Sequence, residues 1–197
     1  VKIGINAFSE CSNLQSVELP ERINEIENGA FYYCTNLKQI DIPKSVIRIG
    51  DNAFRNCRSL VNIMLHAGIE SIGTGAFYNC TSLNSIEIPS DVLKIEDNTF
   101  YGCSNLLKIL LPDDLAYISD TAFQGCPSLI IYSRSGSYSE EYAKLHDIVF
   151  IDNDSLNEFG EFQYRILEEG TVEITKYTGE GYVVTIPDSI QGKEISS

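Results

Sequence analysis

Six cysteines, Cys11, Cys34, Cys57, Cys80, Cys103 and Cys126, carry the most reactive side chains of the sequence, each 23 positions from the next. Thiols so arranged could ligate zinc, form disulfides or supply a nucleophile. Zinc needs a local pair such as C-x-x-C, or a histidine nearby, and none of the six has either. A catalytic thiol needs a partnering base and a lowered pKa, yet all six share one apolar setting. Disulfides between neighbouring repeats stay open, because a separation of about 5 Å lies within the allowed Cα range. Side chains in register point the same way, however, and the pattern favours free, buried thiols that act as small apolar residues.

Other chemistry is thin. The two histidines, His66 and His146, stand 80 residues apart in the sequence. No G-x-S-x-G, P-loop or H-E-x-x-H occurs. The Asp152-Asn153-Asp154 run lacks the glycine and distal glutamate of a calcium loop and reads as solvated linker. No catalytic, metal or cofactor residue is assigned, and an enzyme is not expected. A formal charge of −14 disfavours nucleic acid and anionic lipid, which both require a basic surface. No apolar run is long enough to span a membrane.

The interval of 23 extends beyond the cysteines. Phe8, Phe31, Phe54, Phe77, Phe100 and Phe123 keep it, as do Leu14, Leu37, Leu60, Leu83, Leu106 and Leu129. A fixed period of this size marks a solenoid whose repeats are stacked coils. In "LKQIDIPKSVIRIGDNAFRNC" (37–57), the alternation Leu37, Ile40, Ile42 up to Pro43 predicts a short inward-facing strand. Val46 and Ile49 follow in a turn. Asn28, Asp51, Thr74, Asp97 and Asp120 share one column and are expected to cap a helical turn bearing Ala53, Phe54 and Cys57. The next column reads Asn6, Gly29, Asn52, Gly75, Asn98, Thr121. A lone coil buries too little to fold, and stacking must complete it.

The phrase L-x-x-I-x-I-P-x-x-V-x-x-I-G-x-x-A-F-x-x-C resembles the BspA-like leucine-rich repeat over residues 1–132. That resemblance implies an α/β-type repeat solenoid, a right-handed coil stack with a parallel sheet on one face. It further implies a secreted or surface-displayed protein, often of host-associated bacteria or protozoa, adhering to host proteins or other cells. The family supplies no catalytic residues to carry over.

Past Leu129 the register fails, with Tyr132 where an aliphatic is expected. Residues 133–151 predict a helix and strand closing the stack, with Ser137 or Ser139 as cap and Tyr138, Tyr142 and Leu145 on one face. Residues 152–161 read as linker. Residues 162–197 read as a three-stranded meander (Phe162–Ile166, Val172–Ile174, Val184–Ile186) leading into a following array. Because the chain begins inside a repeat, it is expected to be part of something longer. Its exposed edge at Val1 offers edge-to-edge self-association.

The outward columns carry the functional expectation. One reads Glu18, Asp41, Met64, Glu87, Leu110; its neighbour reads Ser16, Gln39, Asn62, Ser85, Lys108. Met64 with Val61, and Leu107 with Leu110, form a candidate apolar spot in an acidic rim, where a protein ligand such as a host or matrix protein would bind. Tyr32, Tyr78 and Tyr101 form a second candidate stripe, for which partial packing competes with binding. The alternative is a passive spacer displaying other domains.

Overall fold

The coil interior is a wheel of side chains repeated from coil to coil, with Phe, Cys and Leu columns unchanged and the others exchanged among small or aliphatic residues. In one coil Leu37, Ile40, Val46, Ile49, Ala53, Phe54 and Cys57 are all buried, as is Ile42. The computed structural model describes residues 1–153, 156–159, 162–166, 172–177, 189–190 and 193–194. Val1–Phe150 and Ile151–Ser197 form two compact units. In the first, coils stack so that each residue sits beside the one 23 positions on: Lys2↔Glu25, Glu25↔Arg48 and Arg48↔Ser71, for example.

Each coil carries two strand columns where one was expected. The first holds Ser16–Val17, Gln39–Ile40, Ser85–Glu87, Lys108–Leu110 and Ile130–Ser133. The second holds Lys2–Ile3, Glu25–Ile26, Arg48–Ile49, Ser71–Ile72, Lys94–Ile95 and Tyr117–Ile118. All pairings between coils are parallel. Each second-column strand is two residues long, too short to leave an alternation legible in the sequence. Both columns break at one seam. The second-column ladder stops after Ser71–Ile72 and resumes at Lys94–Ile95, and the Ile63–Leu65 stretch keeps only the Asp41↔Met64 bridge.

The third side of the coil is a run of turns, and the expected helical turn is absent. Asn52 and Asn56 hold φ of 54° and 61°, and Gly75 and Asn79 repeat this in the next coil. A left-handed residue every fourth position stops a helix from propagating, and Asn and Gly tolerate that geometry best. The amides thus freed donate across coils instead: Asn52 N to Thr74 O (2.9 Å), Phe54 N to Ala76 O (2.8 Å), Asn56 N to Tyr78 O (2.7 Å). The expected capping column works between coils too. Asn28 Oδ1 accepts from Asp51 N (2.9 Å) and Asp51 Oδ1 from Thr74 N (3.0 Å). Unlike the strand ladders, this turn ladder crosses the seam without a break, through Gly75 N to Asp97 O and Phe77 N to Thr99 O.

At the end of the array one residue is missing from the register: Lys108, Ile109 and Leu110 pair with Ile130, Ile131 and Tyr132, a step of 22. A one-residue slip exchanges inside for outside. Ile131 therefore fills the buried position and Tyr132 faces outward, which corrects the expected substitution of Tyr132 for an aliphatic. The helix Tyr138–Leu145 starts at Ser137, whose side chain accepts from Glu140 N. Its buried face is Ser139, Tyr142 and Ala143; Tyr138 and Leu145 are exposed, contrary to the expected shared face. Tyr142 sits edge-on to Phe123, with centroids 6.0 Å apart and planes at 69°, and its hydroxyl donates to Ser119 O. It ends the ring stack by turning the last contact perpendicular.

In the second unit Leu156–Phe159, Phe162–Ile166 and Val172–Tyr177 form an antiparallel sheet. The first of these strands lies in the stretch read as linker: a polar composition did not prevent it from pairing with a neighbour two residues away. The expected strand at Val184–Ile186 and the start of a second array lie outside the described residues.

Candidate interaction surface

The cysteine row is scaffold, with chemistry that its apolar reading did not include. All six cysteines are free; Cys34, Cys57, Cys80 and Cys103 are buried, Cys126 is half-buried and Cys11 is exposed. Each Sγ from Cys34 onward donates to the phenylalanine carbonyl of the preceding coil: Cys34 to Phe8 O (3.0 Å), Cys57 to Phe31 O (3.1 Å), Cys80 to Phe54 O (3.2 Å), Cys103 to Phe77 O (3.1 Å) and Cys126 to Phe100 O (3.2 Å). That weak donor is what cysteine adds over alanine at this position. Burial pushes the Cys34 and Cys126 thiols up to about 11, and those of Cys57, Cys80 and Cys103 higher still. Thiols held protonated in this way are poor nucleophiles. Beside them the phenylalanine rings stack nearly parallel, 5.1 to 5.5 Å between centroids, from Phe8 to Phe123.

Outward positions of the first strand column are where the coils differ from one another. Glu18, Asp41, Met64 and Glu87 are exposed and Leu110 is half-buried. Met64 is 83% exposed, with Val61 at 44% and Leu107 at 45%. The Asp41↔Met64 bridge and the Glu87↔Leu110 pairing each join two of these positions, and the 23-residue interval carries the column across the seam between them. Asn62, two residues before Met64, faces out beside them, and Lys108 lies 4.6 Å from the centroid of the Tyr132 ring. A groove of about 470 Å³ runs between Val61 and Leu107, with Asn62, Asn84 and Asn105 in its walls. The column thus presents one thioether between carboxylates, beside an apolar-sided cleft with a polar rim.

His66 replaces proline in this coil. Its Nδ1 accepts from Gly68 N (3.1 Å), so the ring proton sits on Nε2, which donates to Pro43 O at 2.8 Å. The side chain ties the turn to the preceding coil. Sequence reading saw the departure from proline but not this role, which depends on a carbonyl 23 residues away.

The tyrosine stripe includes a member the sequence reading missed. Arg55 fills the column between Tyr32 and Tyr78, its guanidinium carbon 3.8 Å from the Tyr78 centroid. Tyr78 and Tyr101 stack at 4.7 Å and 11°. Tyr32 leans on Tyr33 at 4.7 Å and 56°. One face each of Tyr78 and Tyr101 is therefore spent on the stack, and Arg55 covers the other face of Tyr78. The 23-residue interval alone would have found Arg55.

A cavity of about 590 Å³ at the closed end is walled by Phe123, Cys126, Tyr142 and His146, among others. His146 stacks on Tyr142 at 4.1 Å, with Nε2 3.3 Å from Asp120 Oδ1. Among the described residues no three His, Cys, Asp or Glu side chains come together as a metal site. No helix among them is long and apolar enough to cross a membrane.

A family model described as BspA type leucine rich repeat region matches residues 1–130 in six copies. Among solved structures, the chain is similar to a leucine rich cell surface protein from Faecalibacterium prausnitzii, at 35% identity and TM-score 0.60, over 66% of this chain and 34% of that one. It is also similar to a leucine rich repeat protein of T. pallidum, at 32% identity and TM-score 0.57, over 60% of this chain and 58% of that one. A leucine-rich repeat protein from Bacteroides ovatus matches at 30% identity and TM-score 0.56, over 68% of this chain and 43% of that one. The match spans less than two thirds of each of these three proteins. No curated protein matches.

Proposed function

The chain belongs to the BspA-type leucine-rich-repeat family, and we propose that it is a non-enzymatic protein-binding module, secreted or displayed at a cell surface, for adhesion to host or matrix proteins or to other cells. One observation carries the reading: a methionine 83% exposed in an outward column whose inward neighbours are aliphatic scaffold. Exposed apolar groups rimmed by polar ones are common at interaction sites. The binding face is Glu18, Asp41, Met64, Glu87 and Leu110, with Val61 and Leu107 beside it. Tyr32, Tyr78 and Tyr101 contribute ring edges and hydroxyls, because stacking occupies much of their faces. Residues 133–151 close the array. The edge strand Lys2–Ile3 offers a place for copies to pair, which sedimentation over a concentration series tests.

The test of the main reading is retention on cells or immobilised matrix proteins, comparing the wild type with Met64→Asp and Leu110→Asp. A binding module loses retention in one or both variants. A passive spacer behaves identically in all three, and that outcome rejects the proposal.

A further inference from the structure

Asp41 pairs with Met64, and Glu87, 23 residues past Met64 and paired with Leu110, holds the same position in the following coil. Successive coils are about 5 Å apart, and across this same boundary the Phe77 and Phe100 rings are 5.4 Å apart, so Asp41 and Glu87 flank Met64 two coils, roughly 10 Å, from each other. Neither pairs with a lysine or arginine among the described residues. The contrast is the second strand column, where Glu25 is held by Lys2 at 2.9 Å and by Arg48 at 3.2 Å. There the acids are neutralised within the protein. Around Met64 they are left for something else, and the nearby Lys108 is drawn onto the Tyr132 ring.

Resting on the binding-module reading, we propose that this site takes an extended cationic segment of a protein partner, one lysine or arginine laying its aliphatic stem on Met64 and its charge between Asp41 and Glu87. Long cationic side chains bury their stems on apolar surface while the head keeps its polar partners. A flexible, polarisable thioether suits such a stem. The groove between Val61 and Leu107 begins three strand residues from Met64, about 10 Å away. An extended segment covers that distance in two to four residues and sets a small aliphatic side chain into the cleft. The groove's asparagine rim supplies amides for the segment's backbone, which the exposed carboxylates alone would not.

The site also coincides with the seam. The coil bearing Met64 keeps one bridge to the coil before it and belongs to no ladder with the coil after it in the first column. Its strand register is held on the turn side, where the ladder continues. The proposed segment would lie over a boundary that, among the described residues of the first column, is joined by the long Asn84 N to Val61 O bond (3.3 Å) rather than by a strand ladder.

The probe is a ten-residue fluorescein-labelled peptide with lysine at alternate positions and two central valines, titrated by anisotropy at low and at moderate salt. A peptide with glutamate for lysine is the comparison. Asp41→Asn with Glu87→Gln is expected to weaken the lysine peptide by roughly 3- to 10-fold, the scale of two exposed ion pairs. Met64→Ala weakens it as well. Glu70→Gln with Glu141→Gln removes equal charge from exposed positions elsewhere and leaves affinity unchanged. Equal loss from both charge-neutralised pairs means general attraction to an acidic protein and overturns the site, as does wild type that fails to bind the lysine peptide. If the peptide fails while Met64→Asp still abolishes retention on cells or matrix, the partner chemistry is wrong and the module reading stands. If neither Met64→Asp nor Leu110→Asp changes retention there, both fall.

Discussion

The middle coils and the end coils are written in the same phrase and live in different environments. Cys57 and Cys80 are fully buried, whereas Cys11 is exposed and Cys126 half-buried. Phe54 and Phe77 are sandwiched between two parallel rings each, whereas Phe8 has one and is only partly buried. Burial in a stack is a property of the neighbours, since each coil covers only the next. Identical residues therefore contribute unequal stability according to position.

The largest effect follows directly. Phe77→Ala removes a ring from the middle of the stack and is expected to cost about 3–5 kcal/mol, measured by denaturant unfolding. Phe8→Ala should cost well under half as much; equal losses would mean that position in the stack is irrelevant. The closing residue comes next. Tyr142→Ala opens the Phe123 end and should cost about 2–4 kcal/mol, whereas Tyr142→Phe loses only the bond to Ser119 O, about 1 kcal/mol.

The cysteines give a finer test. Cys80→Ala is expected to cost about 1–2 kcal/mol, for lost volume and the lost donor to Phe54 O, and Cys11→Ala close to nothing. Thiol titration sharpens the same contrast: in native protein Cys11 reacts first and Cys126 slowly, while denaturant without reductant releases all six. Two or fewer in denaturant would mean disulfides.

The smallest effect is electrostatic. The Glu140 carboxyl is held below its usual value by Lys144 and by the Gly136 amide. A lowered folded pKa stabilises above the unfolded value of 4.5 and loses that contribution as pH falls through the folded one. The protection of the Tyr138–Leu145 amides, taken relative to the intrinsic exchange rate at each pH, should therefore fall below pH 4.5 in wild type and change less in Glu140→Gln.

Much of the scaffold was legible in the sequence because it repeats. The inward columns, the free thiols and the end of the array could each be read from the interval of 23. The exposed Met64, Val61 and Leu107 were legible too, as departures from columns that otherwise hold polar residues. The helical turn was misread for a physical reason. Ala53, Phe54 and Cys57 have helix-compatible spacing, but Asn52 and Asn56 take left-handed backbone, and that is rewarded only when the next coil accepts their amides. His66 and Arg55 likewise act on partners in other coils.

From the amino-acid order alone came the period, the identity of the buried columns and the place where the pattern stops, because each is a matter of composition at fixed intervals. Tertiary structure decided the rest. It alone assigned the second strand column, the thiol bonds to phenylalanine carbonyls, the one-residue slip that turned Ile131 inward, and which carboxylates found cations. Each of these depends on a contact across coils, and such contacts are settled by what lies above and below a residue in space.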